Sequence, residues 1–95
     1  MEVIISVHGV VQGVGYRAFV KGVALKHGIN GSVRNVPDGS VEIVASGAPD
    51  ALALFERDID VDTGHGPSVM RIEKTLKNED SGGYTDFKAE EDRAP

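Results

Sequence analysis

The chain contains no cysteine, which removes disulfide frameworks, thiolate nucleophiles and cysteine-based zinc sites together. Basic side chains are also in the minority. Ten lysines and arginines against fifteen aspartates and glutamates leave a formal charge of −5, the wrong sign for a domain that tracks a nucleic-acid backbone by bulk electrostatics. Aromatic residues amount to two tyrosines and three phenylalanines, with no tryptophan. Apolar runs extend only a few residues, and Glu2 and Ser6 stand where a secretory signal needs a basic start and a continuous apolar stretch. The expectation is a soluble cytoplasmic protein that partners neither nucleic acid nor membrane. What remains is 95 residues, 40% of them apolar, enough for one core and too few for two. A chain of this size buries roughly 60–65% of the surface its unfolded form exposes, so it folds without a metal or disulfide to hold it. A single domain over residues 1–95 is expected, with 90–95 a charged tail that frays.

Val3, Ile5 and Val7 alternate with Glu2, Ile4, Ser6 and His8, and this period of two predicts a strand over residues 2–9. From Tyr16 the period changes. Tyr16, Phe19, Val20, Val23, Ala24 and His27 recur at helical steps with Gly28 as a stop, predicting a helix over 16–27. Gly22 inside it costs about 1 kcal/mol relative to alanine, which weakens the helix locally without erasing the pattern. Residues 29–36 and 40–46 read as two strands around Pro37-Asp38-Gly39, a turn in which proline presets φ and glycine takes positive φ. Pro49 and Asp50 suit the start of a second helix over 49–60 with Leu52, Phe55 and Ile59 as its buried stripe. A fourth strand is expected over 68–76, a turn over 80–83 and a short last strand over 84–89. The order is β-α-β-β-α-β plus a terminal strand. It predicts an α+β sandwich of ferredoxin-like type, an antiparallel sheet with two helices on one face.

The segment that carries chemistry lies between the first strand and the first helix: Gly9-Val10-Val11-Gln12-Gly13-Val14-Gly15-Tyr16-Arg17. It admits three readings. The plainest is a strand-to-helix turn whose glycines only supply positive φ. The second is a dinucleotide fingerprint, since Gly13-x-Gly15-x-x-Ala18 matches its spacing, but no alternating βαβαβ sheet follows and no acidic residue about twenty positions on ends a second parallel strand. The third is an anion cradle, in which backbone N–H groups at a helix start converge on a phosphate beside an arginine. Arg17 is placed for that task, because its planar fork donates two parallel hydrogen bonds to phosphoryl oxygens where a lysine offers a point charge.

The stretch Val7-His8-Gly9-x-Val11-Gln12-Gly13-Val14-x-Tyr16-Arg17 resembles the first acylphosphatase signature, and Gly31-x-Val33-Arg34-Asn35-x-x-x-Gly39-x-Val41 followed by Gly47 resembles the second. The likeness covers residues 3–87 and implies the ferredoxin-like sandwich already expected. It also implies hydrolysis of acyl phosphates to a carboxylate and inorganic phosphate by a small free-standing enzyme, without a metal or other cofactor. In that scheme Arg17 and the loop Val11, Gln12, Gly13, Val14, Gly15 and Tyr16 hold the phosphoryl group, while Asn35 orients the attacking water. Inorganic phosphate is then both product and inhibitor, and a monomer is expected. Two positions depart from the family pattern: Ser32 stands where an aromatic residue is usual, which should expose or repack part of one sheet face, and His27 where leucine is frequent.

Asn35 also has a purely structural reading as a side chain that steadies the turn at Pro37-Asp38-Gly39. Other constellations are weaker. Asp58-x-Asp60-x-Asp62 resembles the start of a calcium loop, but the sixth position is Thr63 and the twelfth Val69, neither of which that loop accepts. His8, His27 and His65 fall on different elements without metal-ligand spacing, and no serine has a neighbouring base that suggests a nucleophile. The main rival function is a non-catalytic phosphate- or carbamoyl-phosphate-binding module of the same fold. An RNA-binding domain ranks below it, since the first three strands carry no Phe, Tyr or Trp for base stacking.

Overall fold

The computed structural model describes residues 1–77 and 83–91. Its elements are β1 (Glu2–Val10), α1 (Tyr16–His27), β2 (Asn30–Asn35), β3 (Val41–Ser46), α2 (Pro49–Ile59), β4 (Ser68–Lys77) and β5 (Phe87–Ala89). They form one five-stranded sheet in the order β4-β1-β3-β2-β5. The alternation in β1 buries Val3, Ile5 and Val7, which pair with Ala45, Ile43 and Val41 of β3. Val20, Val23 and Ala24 of α1 and Leu52, Phe55 and Ile59 of α2 join these strand residues in a single core. Each such Val, Leu, Ile or Phe side chain contributes roughly 1.5–3 kcal/mol by leaving water, so one face of the sheet with its two helices supplies the fold's main driving force.

The expected helices and strands are present, with ends displaced by a residue or so. The second helix stops at Ile59, one residue short of the expected end, and the Asp60 N–H caps it on Arg57 O. The fourth strand runs to Lys77. The last strand is shorter than expected: Tyr84 to Asp86 stay outside the ladder, although Asp86 O accepts from Gly31 N at 2.8 Å. The turn expected over 80–83 lies outside the described residues except for Gly83. Ser32 is buried, opposite Val44 and Lys88, so this position is covered rather than exposed.

The expected antiparallel sheet is present, with one parallel pair at its edge. β1–β3, β1–β4 and β2–β3 are antiparallel, but β5 runs parallel to β2. Direction explains it. β2 runs with β1 because both oppose β3, and β4 opposes β1, so a strand that reverses after β4 comes back parallel to β2.

One irregularity shapes the functional end. The β1–β3 ladder stops at Val7↔Val41, whereas β1 continues along β4 to Val10↔Ser68 through a register shift between His8 and Gly9. Gly9 takes φ 139°, and a Cβ there would lie 2.2 Å from Ser68 O. No side chain fits. Past Val7, β1 is therefore held by β4 alone as it enters the glycine-rich loop.

Candidate active site

The loop 11–15 leaves the sheet at Val11, whose side chain is buried in the core. Gly13 and Gly15 adopt φ 75° and 78°, and a Cβ at either would meet nothing within 4 Å. The need for glycine here is conformational, since the left-handed region is unfavourable for other residues. Gly15 is the N-cap of α1, its carbonyl accepting from Phe19 N at 3.1 Å. No side chain caps this helix start and no acidic residue lies in its first turn. The first N–H groups of α1 therefore lack intrahelical partners at the positive end of the helix dipole.

Tyr16 anchors that turn from below. Its ring is buried, and its hydroxyl donates to Ile59 O at 2.8 Å, tying the start of α1 to the end of α2. Burial, with a smaller contribution from the Asp60 carboxylate, pushes the phenol well above its ordinary value. It stays protonated. Arg17 follows, half-buried, and its Nη1 donates to the backbone carbonyl of Glu90. A hollow of about 290 Å³ opens here, lined by Gly13, Gly15, Tyr16, Arg17, Glu90 and Glu91 among others.

A second hollow of about 330 Å³ is walled by Gln12, Arg34, Asn35, Pro37, Glu90 and Glu91 among others. Glu90 and Glu91 border both hollows, so the hollow beside Arg17 and the hollow beside Asn35 adjoin along these two residues. Asn35 is the last residue of β2, opposite Val41. Its Oδ1 is buried yet has no hydrogen-bond partner among the described residues.

The turn that follows Asn35 closes without it. Val36 N donates to Ser40 O at 2.9 Å and Gly39 N to Val36 O at 3.0 Å. Asp38 Oδ1 accepts from Ser40 N at 2.8 Å and Ser40 Oγ at 2.6 Å, bonds that hold the Asp38 carboxyl below its usual range. The side-chain amide of Gln12 reaches this turn as well, donating to Val36 O and Ser40 O at 2.7 Å each.

The remaining candidates lie elsewhere. Arg34 faces its cross-strand neighbour Glu42, Nε to Oε1 3.0 Å, and that pairing raises the guanidinium above its ordinary value. His8 Nε2 lies 2.9 Å from Glu73 Oε1, His27 Nε2 lies 2.7 Å from Asp58 Oδ2, and His65 is exposed in a loop. Asp58 also accepts from Arg57, and Asp62 accepts from Gly64 N, so the acidic run makes local contacts. Among the described residues no group of three or more His, Asp or Glu is placed to hold a metal ion.

Two features of the site were not foreseen from the sequence. Glu90 and Glu91 sit at the mouth of the site, Glu90 N donating to Val33 O at 2.8 Å, so order extends at least to Glu90 in the segment expected to fray. A run of charges after the last strand carries no signal for this. The Gln12 side chain turns to the hairpin, and its place inside the glycine-rich motif was the only hint.

A ferredoxin-like α+β sandwich whose first strand-to-helix loop ends in an uncapped helix start beside an arginine has the donor arrangement of an anion-binding domain. Comparison with known proteins narrows the class. The acylphosphatase family model matches residues 3–89. An acylphosphatase from Thermus thermophilus is 48% identical over 67 residues, covering 70% of this chain and 72% of that protein. One from Pasteurella multocida is 41% identical over 83 residues, covering 85% and 88%. The crystal structure of acylphosphatase from Bacillus subtilis superposes with a TM-score of 0.84 at 35% identity, covering 95% and 98%. The chain belongs to the acylphosphatase family.

Proposed function

We propose that this protein hydrolyses acyl phosphates to a carboxylate and inorganic phosphate, with Arg17 and the loop holding the phosphoryl group and Asn35 orienting the water. The observation that carries the reading is a pair of adjoining hollows: an uncapped, acid-free helix start bearing Arg17 lines one, and Asn35, whose Oδ1 has no partner among the described residues, lines the other. The N–H groups of Val11 to Arg17 and the guanidinium supply donors for the three nonbridging phosphoryl oxygens. Each well-aimed donor is worth a factor of roughly 10²–10³ in rate. Asn35 is neutral and cannot act as a base. Its carbonyl accepts a hydrogen bond from water, which fixes an oxygen lone pair toward phosphorus. The P–O bond to the acyl oxygen breaks as the bond to water forms. The carboxylate leaves without needing an acid, and the water's proton passes to a phosphoryl oxygen.

Inorganic phosphate, the product, competes for the same cradle, and the reading takes the enzyme as a monomer. The test is release of benzoate and phosphate in equal amounts from benzoyl phosphate by purified protein, beside Arg17→Ala. Turnover should be lost in the variant. A non-catalytic phosphate or carbamoyl-phosphate module would instead bind phosphate and release no benzoate, and turnover undiminished in Arg17→Ala would remove the cradle from the chemistry.

A further inference from the structure

We propose that the side chain of Gln12 is a positioning residue, which holds Asn35 at its working distance from the phosphate loop by docking the carbonyls of Val36 and Ser40. The inference rests on the reading of Asn35 as the group that orients water. Three observations converge on it. The backbone ladder joining the two halves of the site ends at Val7↔Val41, and beyond it β1 is paired with β4 alone. Past that point the loop and the hairpin need another link. Gln12 Nε2 provides one, within 2.7 Å of both Val36 O and Ser40 O. Both partners are pure acceptors, so the amide must present its NH₂ end to them, one hydrogen for each carbonyl.

The turn itself does not depend on these bonds. Val36 O already accepts from Gly39 N, and Ser40 O from Val36 N, so Gln12 uses a further lone pair on each oxygen. Its effect is to dock a finished turn against the loop. Val36 directly follows Asn35, and Asn35 Oδ1 has no partner among the described residues to hold it. No hydrogen bond to that oxygen among the described residues compensates for a shift of the strand end, and Gln12 fastens the backbone one residue away. A misplacement of about 1 Å in an attacking group can cost about 10²-fold in rate, which sets the scale of the effect.

The test measures kcat and KM for benzoyl phosphate and Ki for inorganic phosphate in Gln12→Met, Asn35→Ala and the double variant. Gln12→Met keeps nearly the same length and loses both donors. It should lower kcat by about 10- to 100-fold while Ki for phosphate changes less than about threefold. In the Asn35→Ala background it should lower kcat by less than about twofold, because the group it positions is gone. Near-normal kcat in Gln12→Met overturns the proposal, as does a full additional loss on top of Asn35→Ala, or a rise in phosphate Ki that matches the fall in kcat. Normal kcat in Asn35→Ala alone overturns the reading of Asn35 instead. If Gln12→Met fails to fold by circular dichroism, Gln12→Lys and Gln12→Glu decide the matter. Lysine keeps donors facing the two carbonyls and glutamate removes them, so kcat should be at least about tenfold higher with lysine; equal kcat values overturn the proposal.

Discussion

In the proposed mechanism Arg17 and Asn35 act on different atoms, and that separates them kinetically. Arg17→Ala removes charge-assisted bonds made to both bound phosphate and the transition state, so Ki for phosphate should rise steeply while kcat also falls. Asn35→Ala removes only the alignment of water. Its kcat should drop by about 10² or more with phosphate Ki within a few-fold, and an unchanged kcat would return Asn35 to a structural role. That role has little left to explain, since Asp38 and Ser40 close the adjoining turn. The pH profile is a second test at this scale. A guanidinium is a permanent cation and a carboxamide does not titrate, while burial moves the Tyr16 phenol further from neutrality. kcat should be flat between about pH 5 and 8 apart from the ionisation of the substrate's own phosphate. A bell-shaped profile that shifts when His8 or His65 is replaced would count against a mechanism without histidine. Both candidate residues were legible in the sequence because each sits in a local motif, whereas Glu90, whose carbonyl accepts from the Arg17 guanidinium, lies 73 positions away.

At the scale of elements, α1 is tied at both of its ends to the last turn of α2. Tyr16 joins the start of α1 to the end of α2, and His27 in the last turn of α1 meets Asp58 at 2.7 Å. The Asp58 carboxyl is held down to about 2, first by its hydrogen bond from Arg57 and then by that from His27. A carboxyl depressed in the folded state adds stability that is fully present above its unfolded value of about 3.9 and is lost as pH falls toward the folded value. Asp58→Asn should therefore lower the urea midpoint at pH 7, with the difference from the parent closing between about pH 4 and 2. A constant difference across that window would mean that packing, not charge, is what the substitution removes. Periodicity was enough to place both helices, because a buried stripe such as Leu52, Phe55 and Ile59 is a local signal. The ends of the last strand were less legible: β5 has three residues in the ladder, and its extent depends on what β2 offers beside it.

For the whole molecule, the net charge of −5 gives no general attraction for an anionic acyl phosphate, so on the proposed function binding comes from short-range donors at one end of the sheet. A ligand that binds only the folded state stabilises it by mass action, about 2.7 kcal/mol at a hundred times Kd. Inorganic phosphate should raise the urea midpoint accordingly in the parent and leave Arg17→Ala almost unmoved. Activity should also survive exhaustive chelation, because phosphoryl positioning is assigned here to backbone N–H groups and a guanidinium; loss on chelation and recovery with one divalent ion would contradict that. The sequence by itself determined the order of elements, the left-handed glycines of the loop and the two motifs bearing Arg17 and Asn35. These are local properties, set by side-chain period and by the backbone freedom of single residues. Only the tertiary structure decided that β5 lies parallel to β2, that Glu90 and Glu91 border the site, and that Gln12 spans to Val36 and Ser40. The reason is physical: those contacts join residues 24 to 73 positions apart, and which of them meet is fixed by strand order and direction, which no local pattern encodes.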